Sequence, residues 1–191
     1  MNSLLTRALG FMLAGAAMSC SAAAAEFTDP KTGFSVTVPA GFALKSPRSD
    51  PNHDILIDVV SLSGQPPAAG GGEAICAAGF KRFPDGTVAS QAELNAQPAI
   101  EKMANDIKAM LRSHDMELQL MRSIPSKDFA GIEVVSKPMR GPDHENVAIY
   151  MATMDRVVGR TNIVCVTRDD ALIEAMSVFQ VIRDGARPPS G

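Results

Sequence analysis

Tryptophan is absent from this sequence, tyrosine occurs once, and aromatic residues make up only 5% of the chain. A sugar-stacking platform needs broad aromatic faces, and so does a surface that reads single-stranded nucleic acid; neither has the residues here. Positive charge is also short. Eighteen Lys and Arg stand against 21 Asp and Glu, with no long basic run, which disfavours a nucleic-acid partner. Catalytic signatures are missing as well. There is no Gly-x-Ser-x-Gly elbow, no Walker loop, no Gly-x-Gly-x-x-Gly after a strand and no His-Glu-x-x-His. Gly70-Gly71-Gly72 precedes the helix expected from Glu73, as a phosphate cradle would. It lacks the Lys-Ser/Thr that grips phosphate, and Glu73 would repel the anion. Beyond the first 25 residues, no apolar run reaches the ~18 residues that a membrane-crossing helix needs.

What is present begins with a leader. Arg7 is the only charge in the first 25 residues, Leu9 to Met18 is a short apolar run, and Ser21 to Ala25 supplies small residues. The pattern predicts a cleaved secretory signal over 1–25, with Glu26 first in the mature chain and a periplasmic or secreted location. A second reading makes Cys20 a lipidated N-terminus, with Ala17-Met18-Ser19 ahead of it. Removing 25 of the 191 residues leaves 166, enough for one domain over 26–185 with a flexible tail at 186–191. Loss of Arg7 takes the formal net charge from −3 to −4. No cofactor is implied.

Two cysteines, Cys76 and Cys165, survive such a cut. In an exported chain an even pair points to a disulfide, the other reading being two buried thiols. Closing a loop of about 90 residues stabilises by up to ~4–5 kcal/mol in the chain-entropy model. The wide separation speaks against a redox enzyme, whose cysteines sit as Cys-x-x-Cys.

Hydrophobic periodicity orders the chain. Ser35–Val38 and Asp54–Leu62 read as strands, and Glu73–Phe83 reads as a short helix with Ile75, Cys76, Gly79 and Phe80 inward. Ser90 and Glu93 form a capping box, and Pro98 predicts a kink or a restart of the helix. Ile100, Met103, Ala104, Ile107, Met110 and Leu111 then make an apolar stripe. Four strands follow at Met116–Ile124, Gly131–Met139, Val147–Met154 and Arg160–Thr167, with hairpin-length links. The last is apolar on both alternating sets, so both of its faces are expected to be covered. A helix over Asp169–Ile182 closes the chain, with a capping box at Thr167 and Asp170, and Gly185 and Pro188-Pro189 stop it. The fold class is α+β: a central antiparallel sheet of about six strands with helices packed on its faces.

Gly33-Phe34-Ser-Val-Thr-Val-Pro39-Ala-Gly41-Phe42 resembles the opening of the PsbP-like and DcrB-like domains, an aromatic strand closing in Pro-x-Gly-aromatic. Phe42 stands where that family commonly has tryptophan. The resemblance spans Phe27 to Ile182. It implies a PsbP-like sandwich and a mostly non-enzymatic role. Relatives include photosystem assembly subunits, small-GTPase-binding proteins and envelope lipoproteins. With no shared catalytic motif, no catalytic residue carries over.

Two residue sets could carry chemistry. All three histidines neighbour acids, in His53-Asp54, His114-Asp115 and Asp143-His144-Glu145, and together would suit a metal ion; the alternative is solvated loop histidines. Eight methionines follow the leader, and thioethers suit Cu(I); the alternative is core packing, with Met151 and Met154 on opposite strand faces. The reading is thus an exported non-catalytic protein that binds a protein or small ligand in the cell envelope. The alternative is a copper- or zinc-handling or enzymatic protein using His53, His114, His144 or the methionines.

Overall fold

A computed structural model describes residues 23–87, 90–141 and 146–189. Most of the leader, at 1–22, and His144 lie outside those residues.

The strands are β1 (Ala25–Thr28), β2 (Ser35–Val38), β3 (Phe42–Leu44), β4 (Arg48–Asp50), β5 (His53–Ser61) and β6 (Ala74–Arg82). Two helices follow, α1 (Gln91–Leu94) and α2 (Gln97–Ser113). Then come β7 (Met116–Ser123), β8 (Ala130–Pro138), β9 (Val147–Arg156), β10 (Gly159–Arg168), α3 (Leu172–Gly185) and β11 (Ala186–Arg187). The main sheet is antiparallel in the order β3-β5-β6-β10-β9-β8-β7, with β4 added on β5, so it has eight strands rather than about six. A separate sheet runs β1-β2-β11.

Each face of the main sheet has its own cover. On one face, Ile57 and Val59 of β5, Ala78 and Phe80 of β6, Ile163 of β10 and Tyr150 of β9 pack under Phe179 and Ile182 of α3 and Val36 and Val38 of β2. Burying each large aliphatic side chain stabilises by about 1.5–3 kcal/mol, so this layer is the main source of stability. On the other face, Met103 and Leu111 of α2 pack on Ala130, Ile132 and Val134 of β8. The α2 stripe read from the sequence is therefore present, but it covers only the β7–β8 end. Above β10 the sheet is open, and Val164 is 37% exposed. This corrects the expectation that β10 is covered on both faces: its burial alternates strictly from Gly159 to Cys165.

The segment Glu73–Phe83 is not a helix. It is β6, hydrogen-bonded between β5 and β10. Its Ala-rich middle suits a helix in isolation, but pairing on both edges outweighs that weak preference. Cys76 and Cys165 face each other across β6 and β10 and are joined, with Cα atoms 3.9 Å apart. The disulfide thus links two neighbouring strands of one sheet, rather than a helix to a sheet.

Helix boundaries follow local chemistry. Ser90 accepts from the Glu93 amide at 3.2 Å, and Pro98 falls in the first turn of α2, the predicted restart. Thr167 does not cap the last helix: its hydroxyl donates to the Pro67 carbonyl at 2.7 Å, and Asp170 pairs with Arg168. Gly185 is the last residue of α3, where a Cβ would lie 2.0 Å from the Thr37 carbonyl oxygen. Residues 186–187, expected in a tail, form β11 on β2, with Ala186 buried. Among the described residues, no helix is long and apolar enough to cross a membrane.

Candidate functional site

The uncovered half of the α2 face forms a groove of about 510 Å³. One wall is α2, through Met103, Asp106, Ile107 and Met110; the floor is Met151 and Thr153 of β9 with Asn162 and Val164 of β10. His53, at the start of β5, closes the far end. The groove exists because α2 packs on β7 and β8 and leaves β9 and β10 beside it less covered.

Gly79 is the specific case. A Cβ at this position would lie 2.4 Å from Cδ2 of the His53 ring and 2.9 Å from Leu56 Cδ1. Glycine therefore lets the imidazole lie across β6 and reach β10. The ring is held at both nitrogens. Nδ1 is 3.0 Å from Asp50 Oδ1, and Nε2 is 3.5 Å from Asn162 Nδ2, at the long limit of a hydrogen bond. An amide nitrogen only donates, so Nε2 accepts and Nδ1 carries the proton given to Asp50. The Thr153 hydroxyl then donates to Asn162 Oδ1 at 3.1 Å. A chain Thr153–Asn162–His53–Asp50 crosses the sheet with each member satisfied. Burial pushes the Asp50 carboxyl up, but the Asn52 and His53 amides and the His53 ring outweigh it and hold the carboxyl below its ordinary value.

The charges around the groove are paired. Arg160 donates to both oxygens of Asp155 at 2.7 Å, and Asp106 pairs with Lys102 at 2.6 Å. The Asp155 contact raises the Arg160 pKa against the opposing effect of burial, and the Asp106 charge adds to the rise. Apolar side chains in the wall stay open to solvent: Met110 is 37% exposed, as is Val164.

Chemically, the Asp50–His53 pair has two members of a nucleophile-activating triad. Its free nitrogen meets an amide instead of a hydroxyl or thiol. The arrangement orients a ring and presents an amide.

Of the histidines singled out in the sequence, His53 lies in the groove and His114 is the exposed C-cap of α2. Among the described residues, no three His, Cys, Asp or Glu side chains gather closely enough to hold a metal ion. Met103, Met110 and Met151 border the groove, while Met154 is buried on the opposite face, as its spacing from Met151 requires. Asn162 and Thr153 were not legible as site residues. Arg160-Thr161-Asn162 is polar throughout, so no alternation assigned Asn162 to one face of the strand.

A second buried polar cluster lies beneath α3. Glu133 of β8 accepts from Tyr150 Oη at 2.8 Å and Arg183 Nη1 at 2.6 Å, and also pairs with Arg122. Burial raises the Glu133 pKa, but the Tyr150 and Arg122 hydrogen bonds and the Arg183 charge bring it below the ordinary carboxyl value. The same burial and contact raise the Tyr150 pKa.

No protein-family model matches the sequence, and the comparison with curated proteins finds no match. Similar solved structures do exist. The cyanobacterial PsbP (CyanoP) of Synechocystis sp. PCC 6803 superposes with a TM-score of 0.56 at 10% identity, over 92% of this chain and 98% of that one. The protein PA94 of Pseudomonas aeruginosa gives 0.45 at 7% identity, over 88% and 99%. The Ran-binding protein Mog1p of Saccharomyces cerevisiae gives 0.48 at 12% identity, over 86% and 95%. The chain has a PsbP-like fold.

Proposed function

We propose that this chain is an exported, non-catalytic binding protein whose groove beside α2 takes a small uncharged molecule with an apolar body. One observation carries the reading: the charged groups around the groove are already paired, whereas Met110 and Val164 are left open to solvent. A charged ligand would have to break a pair, and a neutral apolar one only covers exposed surface. Asn162 keeps a spare amide proton and lone pair for one neutral polar group. The leader pattern and the disulfide support export. The Asp50–His53 pair, closed off by Asn162, supports a non-catalytic role.

The test uses the neutral fluorophore N-phenyl-1-naphthylamine. Its emission should rise saturably with the protein. Val164→Glu, at an exposed strand position, should weaken binding at least about tenfold by placing a charge in the apolar wall. A saturable signal that Val164→Glu leaves unchanged would move the site elsewhere.

Copper or zinc handling is the second reading, because Met103, Met110, Met151 and His53 border one groove. Met103 and Met110 lie seven residues apart on α2, roughly 10.5 Å along the axis, which is too far to share one ion comfortably. Stoichiometric metal after copper or zinc loading, lost when His53, His114 and His144 become alanine, would favour this reading over the first.

A further inference from the structure

A second concavity lies on the other face of the sheet, where the end of α3 and β11 meet β9 and β10. Its volume is about 390 Å³. Three guanidinium groups line it, from Arg156, Arg183 and Arg187, against one carboxylate, Asp184. Arg183 is engaged: it donates to Glu133 at 2.6 Å and to Asp184 at 2.7 Å. Arg156 and Arg187 have no side-chain partner among the described residues. Thr161 forms part of the same wall and is 1% exposed, and its Oγ1 has no hydrogen-bond partner. A buried hydroxyl left unpaired is a standing cost to a fold and is uncommon. Phe129 and Met154 add apolar surface beside it.

We infer that this pocket binds a small organic carboxylate. Arg156 and Arg187 supply two uncommitted guanidinium forks, which match a carboxylate's geometry. The Thr161 hydroxyl is a further donor in the wall, and Phe129 with Met154 receives the apolar body. Inorganic phosphate shares the oxyanion chemistry but has no apolar body, so it separates the charge contribution from that of the apolar wall. The site lies on the opposite face from the α2 groove and does not depend on the function proposed for that groove.

Isothermal titration of the full chain at low salt, with benzoate and inorganic phosphate as probes, tests the inference. Benzoate should bind at one site and more tightly than phosphate, with affinity falling as salt rises. The double variant Arg156→Gln/Arg187→Gln should bind benzoate at least about tenfold more weakly. Thr161→Val should weaken benzoate while leaving the melting temperature unchanged or higher, because it removes an unpaired buried hydroxyl. Val164→Glu, which blocks the α2 groove, should leave benzoate binding unchanged. Absence of saturable benzoate binding, or full affinity in the double-arginine variant, would overturn the inference. Phosphate binding tighter than benzoate would overturn its carboxylate assignment, and unchanged affinity in Thr161→Val would remove the hydroxyl from the site.

Discussion

The disulfide allows the most quantitative prediction. Cys76 and Cys165 are 89 residues apart in sequence and are both buried in the main core. In the chain-entropy model, closing a loop of that length lowers the entropy of the unfolded chain enough to stabilise the fold by ~4.6 kcal/mol at 25 °C. The perturbation is the double variant Cys76→Ala/Cys165→Ala, chosen over serine because a buried hydroxyl beside Ile163 and Tyr150 would add its own cost. Loss of the two sulfurs also leaves a small void, which makes the variant slightly worse than the entropy alone. The assay is reversible urea unfolding followed by circular dichroism, with wild type in oxidised and fully reduced forms beside the variant. The expected loss is about 4–5 kcal/mol for the variant, and the reduced wild type should fall within about 1 kcal/mol of it. The sheet register already brings these residues together, so strands β6 and β10 should still pair in the variant. A loss under about 1 kcal/mol would refute the argument, because it would mean that the unfolded chain gains little freedom when the bond is cut.

Three other perturbations test the packing and the electrostatics. Glu133→Gln should destabilise the fold by about 3 kcal/mol in thermal or urea unfolding, since Arg183 would lose its buried partner. The native Glu133 pKa lies below its ordinary value of 4.5, so its stabilising contribution is complete above that pH and is lost as the pH falls below it. Wild type should therefore lose stability more steeply below about pH 4.5 than Glu133→Gln does. Gly185→Ala should cost at least about 2 kcal/mol, because its Cβ meets the Thr37 backbone and α3 must lift from β2. Gly79→Ala should displace the His53 ring, cost about 1–3 kcal/mol, and shift the imidazole resonances in a two-dimensional NMR spectrum.

Much of the layer plan was legible because it rests on long, strongly patterned segments. The α2 stripe and the final helix each have a period that admits one reading, and the short links between β7, β8, β9 and β10 mark them as consecutive antiparallel strands. β6 was not legible. Ile75, Cys76, Gly79 and Phe80 fit one side of a helix, and Ala77-Ala78 favours a helix locally. What decides it is tertiary: strands β5 and β10 claim both of its edges, and Gly79 must make room for His53. The Thr167–Asp170 pair shows the same limit, since the Thr167 hydroxyl is drawn to Pro67, a hundred residues away in sequence. The groove itself could not be read, because it arises where α2 ends its cover of the sheet. The run Ile163-Val164-Cys165-Val166 looks like a core strand, yet among the described residues Val164 stays 37% exposed in the groove.

The open half of the α2 face is proposed to be a binding surface for a neutral apolar ligand. The most direct test is an amide chemical-shift map of the full chain titrated with N-phenyl-1-naphthylamine. Saturable shifts are expected at Met103–Met110 of α2, at Met151 and Thr153, and at Gly79, Asn162 and Val164. Saturable shifts confined to other surfaces, or none at all, would contradict it.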